Sequence, residues 1–316
     1  MPRWFNTLQL HRRWKQSKTQ HKRTVNGKYK LLHEIGQGAS GIVHLAVDTK
    51  TNVRYAIKEL SKSKLQRQYH SELLRQSGPA GIAQSKKRKL NHHDNETIKE
   101  LYIEESNLLK KLAPHENIIK FVEVIEDVEY NDSIFIAVME YAENGIVMDV
   151  TPHSVTKALS DTKCRIIFKQ LVAAVTHLHQ NGIIHRDIKP QNLLLSNENI
   201  VKLIDFGNAT IVTESLGYTT GTPAFMAPEL LKKVQGSPTS ADLWSMGVTL
   251  YCLAYGHLPF EKASLLDLYA DIQNKTISHT DQVDPQLADL IDKLLEKNPV
   301  DRITLKDVSS HPWLKK

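Results

Sequence analysis

The sequence predicts an α+β protein of two lobes: a small antiparallel β lobe with one main helix, then a large, mainly α lobe. Three observations carry this. Strand-period runs gather early, at residues 29–35, 42–48, 55–58 and 134–139. Helix-period runs dominate afterwards, over residues 165–180 and from Ser240 onward. With 316 residues, 41% of them hydrophobic, the chain is long enough to fill two cores.

The first two strands meet at a glycine run, Gly36-x-Gly38-x-x-Gly41-x-Val43. A lone run of this kind fits a dinucleotide fold as readily. That fold needs a helix directly after the glycines and an acidic residue about 20 positions on. Here Gly41-Ile-Val-His-Leu-Ala-Val47 alternates at the strand period, so the glycines sit in a hairpin. Tyr55-Ala56-Ile57-Lys58 is a third strand carrying a lysine. Alone, Lys58 would be a solvated strand lysine. After glycines whose bare backbone can lie over phosphates, it suits the α- and β-phosphates of a nucleotide. Residues 96–112 are helical by period, with Ile98, Leu101, Tyr102, Leu108, Leu109 and Leu112 on the apolar face. Glu100, Glu104 and Glu105 on that helix are candidate partners for Lys58.

In the second half, residues 165–180 place Ile166, Ile167, Leu171, Val172, Val175 and Leu178 inward, with His177 and His179 read as packing or surface residues. The helix opened by Ser240-Ala-Asp242-Leu-Trp244 is apolar nearly all round, hence central. Between these helices lie His185-Arg186-Asp187-Ile188-Lys189-Pro190-Gln191-Asn192 and, 18 positions after Asp187, Asp205-Phe206-Gly207. Phosphoryl transfer needs these groups: a carboxylate for the acceptor hydroxyl, an amide and a carboxylate for Mg²⁺, and a cation for the moving phosphate. Both runs, in this order after the glycines and Lys58, resemble a eukaryotic protein kinase.

The resemblance implies an assignment for most of the site. Asp187 is the general base, or the group that orients the substrate hydroxyl. Lys189 neutralises the γ-phosphoryl group, and its place two after the base is the serine/threonine pattern. Asn192 and Asp205 hold Mg²⁺ through oxygen. Glu105, seven residues before Leu112, fits the family's partner for Lys58, and Glu104 and Glu100 become solvated charges. Ile35, Gly36, Gly38, Gly41, Val43, Ala56, Lys58, Met139, Glu140, Ala142 and Leu194 line the ATP site, with Met139 as gatekeeper. Adenine would bond to the Glu140 carbonyl and the Ala142 amide. Residues 205–229 form the activation segment, in which Thr222 touches Asp187 and Lys189. Thr213, Ser215, Thr219 and Thr220 are candidate phosphosites, beside a pocket that Arg186 could build. Glu229 is expected to pair with Arg302, and Asp242 to hold the catalytic-loop backbone.

Four stretches point to one branch. They are residues 60–68, Asn144-Gly-Ile-Val-Met-Asp-Val150, Gly221-Thr-Pro-Ala-Phe-Met-Ala-Pro-Glu229 and Met246-Gly-Val-Thr-Leu-Tyr-Cys-Leu253. They resemble the calcium/calmodulin-dependent protein kinase kinases and the fungal upstream kinases of the AMP-activated-kinase homologue. That implies a serine/threonine kinase acting on the activation loop of a kinase of the AMP-activated type. The insert, with only Pro79, lacks the Arg-Pro dipeptides of the branch, and the chain stops at Lys316 just after His311-Pro-Trp-Leu. The C-terminal calmodulin-binding segment of the animal enzymes is thus not expected, nor is control through it.

The domain boundaries follow. Residues 1–28 read as a basic tail and 29–314 as the kinase domain. Its small lobe covers 29–139, its large lobe 143–314, and an insert 66–95 contains Lys86-Lys87-Arg88-Lys89. Residues 1–33 hold nine Lys/Arg and no Asp/Glu, leaving 32 against 35 afterwards, so the net +6 belongs to the start of the chain. A disordered basic tail is the plain reading. The sharper one is a segment in which Trp4, Phe5, Leu8, Leu10 and Trp14 interleave with basic residues and bind an acidic partner, calmodulin or an anionic membrane. No nucleic acid is expected. Only Cys164 and Cys252 are present, in apolar helical runs, so no disulfide framework is implied. No signal peptide or membrane span is read, and a cytoplasmic, or nuclear, location is expected.

Two other classes compete. A pseudokinase scaffold commonly lacks the lysine or a metal-binding residue, whereas Lys58, Asp187, Asn192 and Asp205 are all here. A lipid or small-molecule kinase would not need the protein-substrate platform of Thr222-Pro223 and Ala227-Pro228-Glu229.

Overall fold

The computed structural model describes residues 23–37, 41–61, 112–126, 133–212, 221–232, 238–280 and 283–316. The chain divides into two compact units, the second beginning at residue 142 and also taking in residues 112–119.

The first unit is a six-stranded antiparallel sheet in the order β1-β2-β3-β4-β6-β5. The strands are β1 Thr24–Val25, β2 Tyr29–Gln37, β3 Gly41–Asp48, β4 Arg54–Ser61, β5 Phe121–Glu126 and β6 Ser133–Glu140. β1 lies inside the stretch that composition assigns to the tail. It pairs Thr24 with Lys30 and Val25 with Tyr29, a contact too short to leave a periodic signal. One sheet face is closed by Val25, Tyr29, Ala46, Ile57, Ile125 and Val138, with the Tyr29 and Tyr55 rings edge to face at 5.4 Å.

The second unit is built on helices: α1 Asp161–Gln180, α2 Pro228–Lys232, α3 Pro238–Tyr255, α4 Leu265–Asn274, α5 Pro285–Leu294, α6 Leu305–Ser310 and α7 Pro312–Lys315. Short antiparallel pairs β8 Leu193–Leu195 with β9 Val201–Leu203, and β7 Ile183–Ile184 with β10 Thr210–Ile211, carry the catalytic segments. Residues 112–119 join this unit because Leu203 N–H donates to the Asn117 carbonyl (2.9 Å) and Ile119 N–H to the Leu203 carbonyl (3.0 Å).

α1 begins four residues before the periodic run. Ser160 caps it by accepting from Lys163 N–H, and Asp161 sits in the first turn, where a carboxylate suits the helix dipole. Asp161 also accepts from the indole N–H of the buried Trp313 (2.7 Å) and pairs with Arg165, pinning the C-terminal helices to the start of α1. α3 is the central helix, with Trp244, Met246, Val248, Leu250 and Leu253 fully buried. Gly247 lets α5 press against it: a Cβ there would lie 2.8 Å from Leu294 Cβ. Both cysteines are buried and free, and burial pushes the Cys164 thiol up to about 12, so neither is a reactive thiolate.

A buried ion pair and a half-buried lysine hold the unit together. The Arg302 guanidinium is bidentate on Glu229 (2.7 and 2.9 Å) and also donates to the Ser240 and Glu296 carbonyls. Lys297 lies over the rings of Trp244 (4.8 Å) and Phe260 (4.4 Å) and donates to the Ile272 carbonyl. Burial, with Arg302 nearby, lowers its ammonium to about 8 in spite of the ring faces.

Glu229→Ala should cost roughly 3–5 kcal/mol, since it strands a buried guanidinium, and urea unfolding followed by tryptophan fluorescence will measure it. A half-buried lysine lowered from 10.5 to about 8 binds fewer protons folded than unfolded, so stability rises with pH through that window. Thermal melts across the window should therefore climb more steeply for the wild type than for Lys297→Met; parallel slopes would contradict this.

Candidate active site

Each residue of the site is placed by an identifiable local device. In the first unit the register does it. Val43 faces Lys58 across β3 and β4, and Ala56 faces Met139 across β4 and β6. Directly opposed residues share a face, as do residues two apart along a strand. Val43, Ala56, Lys58 and Met139 therefore project from one sheet face, opposite the face closed by Ile57 and Val138. All four are half-buried, and Gly36, which opposes Val43, adds no side chain to that row.

In the second unit the anchor is Asp242 of α3, which is wholly buried. Its carboxylate accepts from the backbone N–H of His185 (2.9 Å) and Arg186 (2.8 Å) and bonds the His179 imidazole (2.9 Å). Burial alone would raise its pKa. The bond and charge of His179, with His185, outweigh that and hold it below the ordinary carboxylate value. Reading His179 as packing or surface thus misses its role. It is the α1 residue that reaches Asp242.

α3 presents a polar stripe at i, i+3 and i+7. Below Asp242, the Ser245 hydroxyl donates to the Phe225 carbonyl (2.9 Å) and the Thr249 hydroxyl to the Ile188 carbonyl (3.4 Å). Each rung holds backbone next to Asp187 or a few residues beyond Thr222. His185 adds a second tie: Nε2 meets the Ile204 carbonyl at 3.1 Å, Nδ1 accepts from Asp187 N–H, and the ring edge packs on Phe206 at 4.9 Å. The segment bearing Asp205 is thereby fastened to the loop bearing Asp187. Arg186 and Asp205 both adopt left-handed φ, +68° and +65°, a strained state that persists only where surroundings impose it.

Asp187, Lys189 and Thr222 close a triangle. Lys189 Nζ donates to Asp187 Oδ2 (2.7 Å) and to Thr222 Oγ1 (2.8 Å), while Thr222 donates to Asp187 Oδ1 from its hydroxyl (2.8 Å) and its N–H (3.1 Å). Asn192, in the 3-10 turn Pro190–Asn192, spends both amide hydrogens on Asp187, at its carbonyl (2.8 Å) and Oδ2 (3.1 Å). Asn192 Oδ1 accepts nothing among the described residues. Ile204 N–H donates to the Asn192 carbonyl (3.0 Å), which ties the residue before Asp205 to Asn192. An amide oxygen and a carboxylate so tied are hard donors and fit Mg²⁺. Among the described residues no cluster of three or more His, Cys, Asp or Glu could hold a softer metal.

Gly221 makes the triangle possible. Its φ is +115°, and a Cβ on it would stand 2.7 Å from the Arg186 carbonyl oxygen. The sequence shows this glycine but not the close approach that requires it. Ser245 and Thr249 were equally hidden inside an apolar run. Ala142 is buried and its N–H donates no backbone hydrogen bond among the described residues, Leu194 is half-buried in β8, and Ile35 is exposed on β2. Gly38, Glu105 with its helix before Leu112, the insert 66–95, the tail through residue 22 and the candidate phosphosites Thr213, Ser215, Thr219 and Thr220 lie outside the described residues.

An antiparallel sheet unit, a helical unit and this loop geometry define a phosphotransferase class, and comparison with known proteins narrows it. The protein kinase domain family matches residues 80–314. The chain is 38% identical over 304 residues to the calcium/calmodulin-dependent protein kinase kinase cmkC of Emericella nidulans, covering 92% of this chain and 58% of that protein. It is 36% identical over 305 residues to the serine/threonine-protein kinase ppk34 of Schizosaccharomyces pombe, covering 91% and 83%. A calcium/calmodulin-dependent protein kinase kinase of Caenorhabditis elegans is 34% identical over 295 residues, covering 91% and 52%. The chain thus spans little more than half of two of these relatives. It belongs to the protein kinase family, in the serine/threonine class.

Gly221→Ala should lower kcat by about tenfold or more, because roughly 1–3 kcal/mol of backbone strain displaces Thr222 from Asp187. Steady-state kinetics beside a thermal melt checks this; an unchanged kcat would detach the triangle from catalysis.

Proposed function

We propose that this chain transfers the γ-phosphoryl group of Mg-ATP to a serine or threonine of another kinase, in the activation loop of an enzyme of the AMP-activated type. The triangle of Asp187, Lys189 and Thr222 carries the reaction type, and the kinase kinases among the relatives support the substrate class.

The substrate hydroxyl attacks the γ-phosphorus, the bond to the bridging oxygen of the leaving ADP breaks, and Asp187 orients the hydroxyl and receives its proton. Thr222 and Asn192 hold the Asp187 carboxylate for this, and Lys189 offers its charge to the γ-phosphate. Asn192 and Asp205 are the Mg²⁺ donors; when bound, the ion supplies positive charge to the phosphate oxygens. Lys58 takes the α- and β-phosphates, and the sheet face of Val43, Ala56 and Met139 takes the purine. Catalysis of this type is positioning plus electrostatic stabilisation, so loss of one charged member should be severe.

The names of two relatives favour calmodulin as a further partner, and the basic, aromatic residues 3–18 suit an acidic protein of that kind. A blue shift of tryptophan emission on adding calcium-loaded calmodulin would support it, and none would leave a plain basic tail.

The test is phosphate transfer from Mg-ATP to an inactive AMP-activated-type catalytic subunit, beside a subunit whose activation-loop threonine is alanine. Asp205→Asn in this chain is the blank. Phosphate on that threonine, absent from both controls, is expected. Transfer to a generic protein but not to that threonine would keep the kinase and remove the proposed substrate. No transfer to any protein would favour the scaffold reading.

A further inference from the structure

The outer face of α1 is left open in a way its inner face is not. Phe168, Leu171, Val175 and Leu178 are buried in the core. One quarter-turn away, Lys169, Val172, Ala173, Thr176, His177 and Gln180 share a stripe at i, i+3, i+4, i+7, i+8 and i+11. This stripe lines a groove of about 570 Å³ together with His115, Ser309 of α6 and Leu314 of α7. That volume suits a few side chains of a bound segment.

The lining has a one-sided chemistry. It contains a lysine and two histidines and no carboxylate. Lys169 is exposed and makes no ion pair or hydrogen bond with any described residue. The imidazoles of His115 and His177 stack at 4.8 Å and 30°. His115 Nδ1 accepts from Asn117 N–H (3.0 Å), so its remaining ring nitrogen carries the proton and is a donor. His177 Nε2 meets the Ala113 carbonyl (2.8 Å), which fixes its ring. Gln180 adds a carboxamide bonded to nothing described. Beneath these donors Val172, Ala173 and Leu314 form an apolar floor. A lysine and an imidazole N–H with no carboxylate beside them, above an apolar floor, ask for carboxylates on a chain that also carries apolar side chains.

We propose that this groove is a docking site for an acidic, leucine-bearing peptide segment of a partner protein, held by Lys169 and His115 at its rim and by the α1 floor. The site lies on the face of α1 away from Asp242, and it does not depend on the identity of the phosphate acceptor. A flat membrane or a nucleic acid backbone would call for a broad basic surface, whereas the floor here is apolar and recessed.

His115 makes the docking pH-dependent. Burial, then the neighbouring His177, lowers the His115 pKa below its ordinary value; Lys202 of β9 acts the same way and Glu116 opposes it. Lys169 on α1 is the other charged group of the lining, and α6 and α7 present only Ser309 and Leu314 to the groove. A bound carboxylate favours the imidazolium, so binding takes up a proton and tightens as pH falls.

The experiment uses the full chain and a fluorescein-labelled peptide alternating Glu and Leu, with a counterpart carrying Lys for Glu, read by anisotropy. The acidic peptide should bind, the basic one should not, and Lys169→Glu should weaken binding by roughly tenfold or more. Affinity should rise severalfold from about pH 8 to about pH 6, and His115→Gln should flatten that rise. Phosphate transfer to a generic protein and the thermal melt should be unchanged in Lys169→Glu, which separates this outcome from misfolding and from failure of the kinase reading. Equal binding of both peptides, no binding of the acidic one, or indifference to Lys169→Glu overturns the proposal. So does Lys169-dependent binding of phosphatidylserine vesicles without peptide binding.

Discussion

The buried carboxylate of Asp242 is the constraint on which the catalytic geometry depends. A lone carboxylate at its depth would be costly by several kcal/mol. Here the cost is offset by two backbone N–H groups and the imidazole of His179. Those same bonds fix the backbone just before Asp187. Desolvation that would neutralise an unpaired acid therefore becomes a clamp, because leaving Asp242 unpaired is worse than holding Arg186 at a left-handed φ.

From that clamp the order runs outward through hydrogen bonds. His185 passes it to Ile204 and Phe206, so the Asp205 segment moves with the loop. Asn192 and Thr222 then share the Asp187 carboxylate, and Lys189 balances its charge within the same triangle. Asp187 is buried yet every oxygen contact it makes is complementary, which holds the carboxylate in one rotamer. Gly221 lets the end of the activation segment close this circuit, by lying against the Arg186 carbonyl where no side chain fits. Asp187, Lys189 and Thr222 therefore form one hydrogen-bonded body.

Sequence made some of this legible for physical reasons. The alternation in β3 marked a hairpin after the glycines and the motif order named Val43, Ala56 and Lys58, while their shared face came only with the strand register. The motif runs placed Asp187, Lys189, Asn192 and Asp205, and Thr222 as their neighbour. What stayed hidden has no periodic or compositional mark. β1 is two residues long, β5 had no clean alternation, and a polar stripe of Asp242, Ser245 and Thr249 shows only Asp242 within an apolar run. His179 looked like a packing residue because spacing along α1 does not reveal the carboxylate that α3 brings to it. The α1 N-terminus was missed by four residues, since Asp161-Thr-Lys-Cys164 is held by a cap and by Trp313, 152 positions away, not by apolar period.

α1 also explains how one helix can serve catalysis and docking without coupling them. His177 and His179 are two residues apart and face opposite ways, one to the open groove and one to Asp242. Between them the helix is packed without slack, with Val175 and Leu178 fully buried and Ser160 and Trp313 pinning its start. A packed element of this kind transmits a shift only if it has a second arrangement to move to. None is built into α1, whose 20 residues run without a proline or glycine at which to hinge. A peptide on its outer face therefore raises the local concentration of a partner and leaves Asp187 where it is.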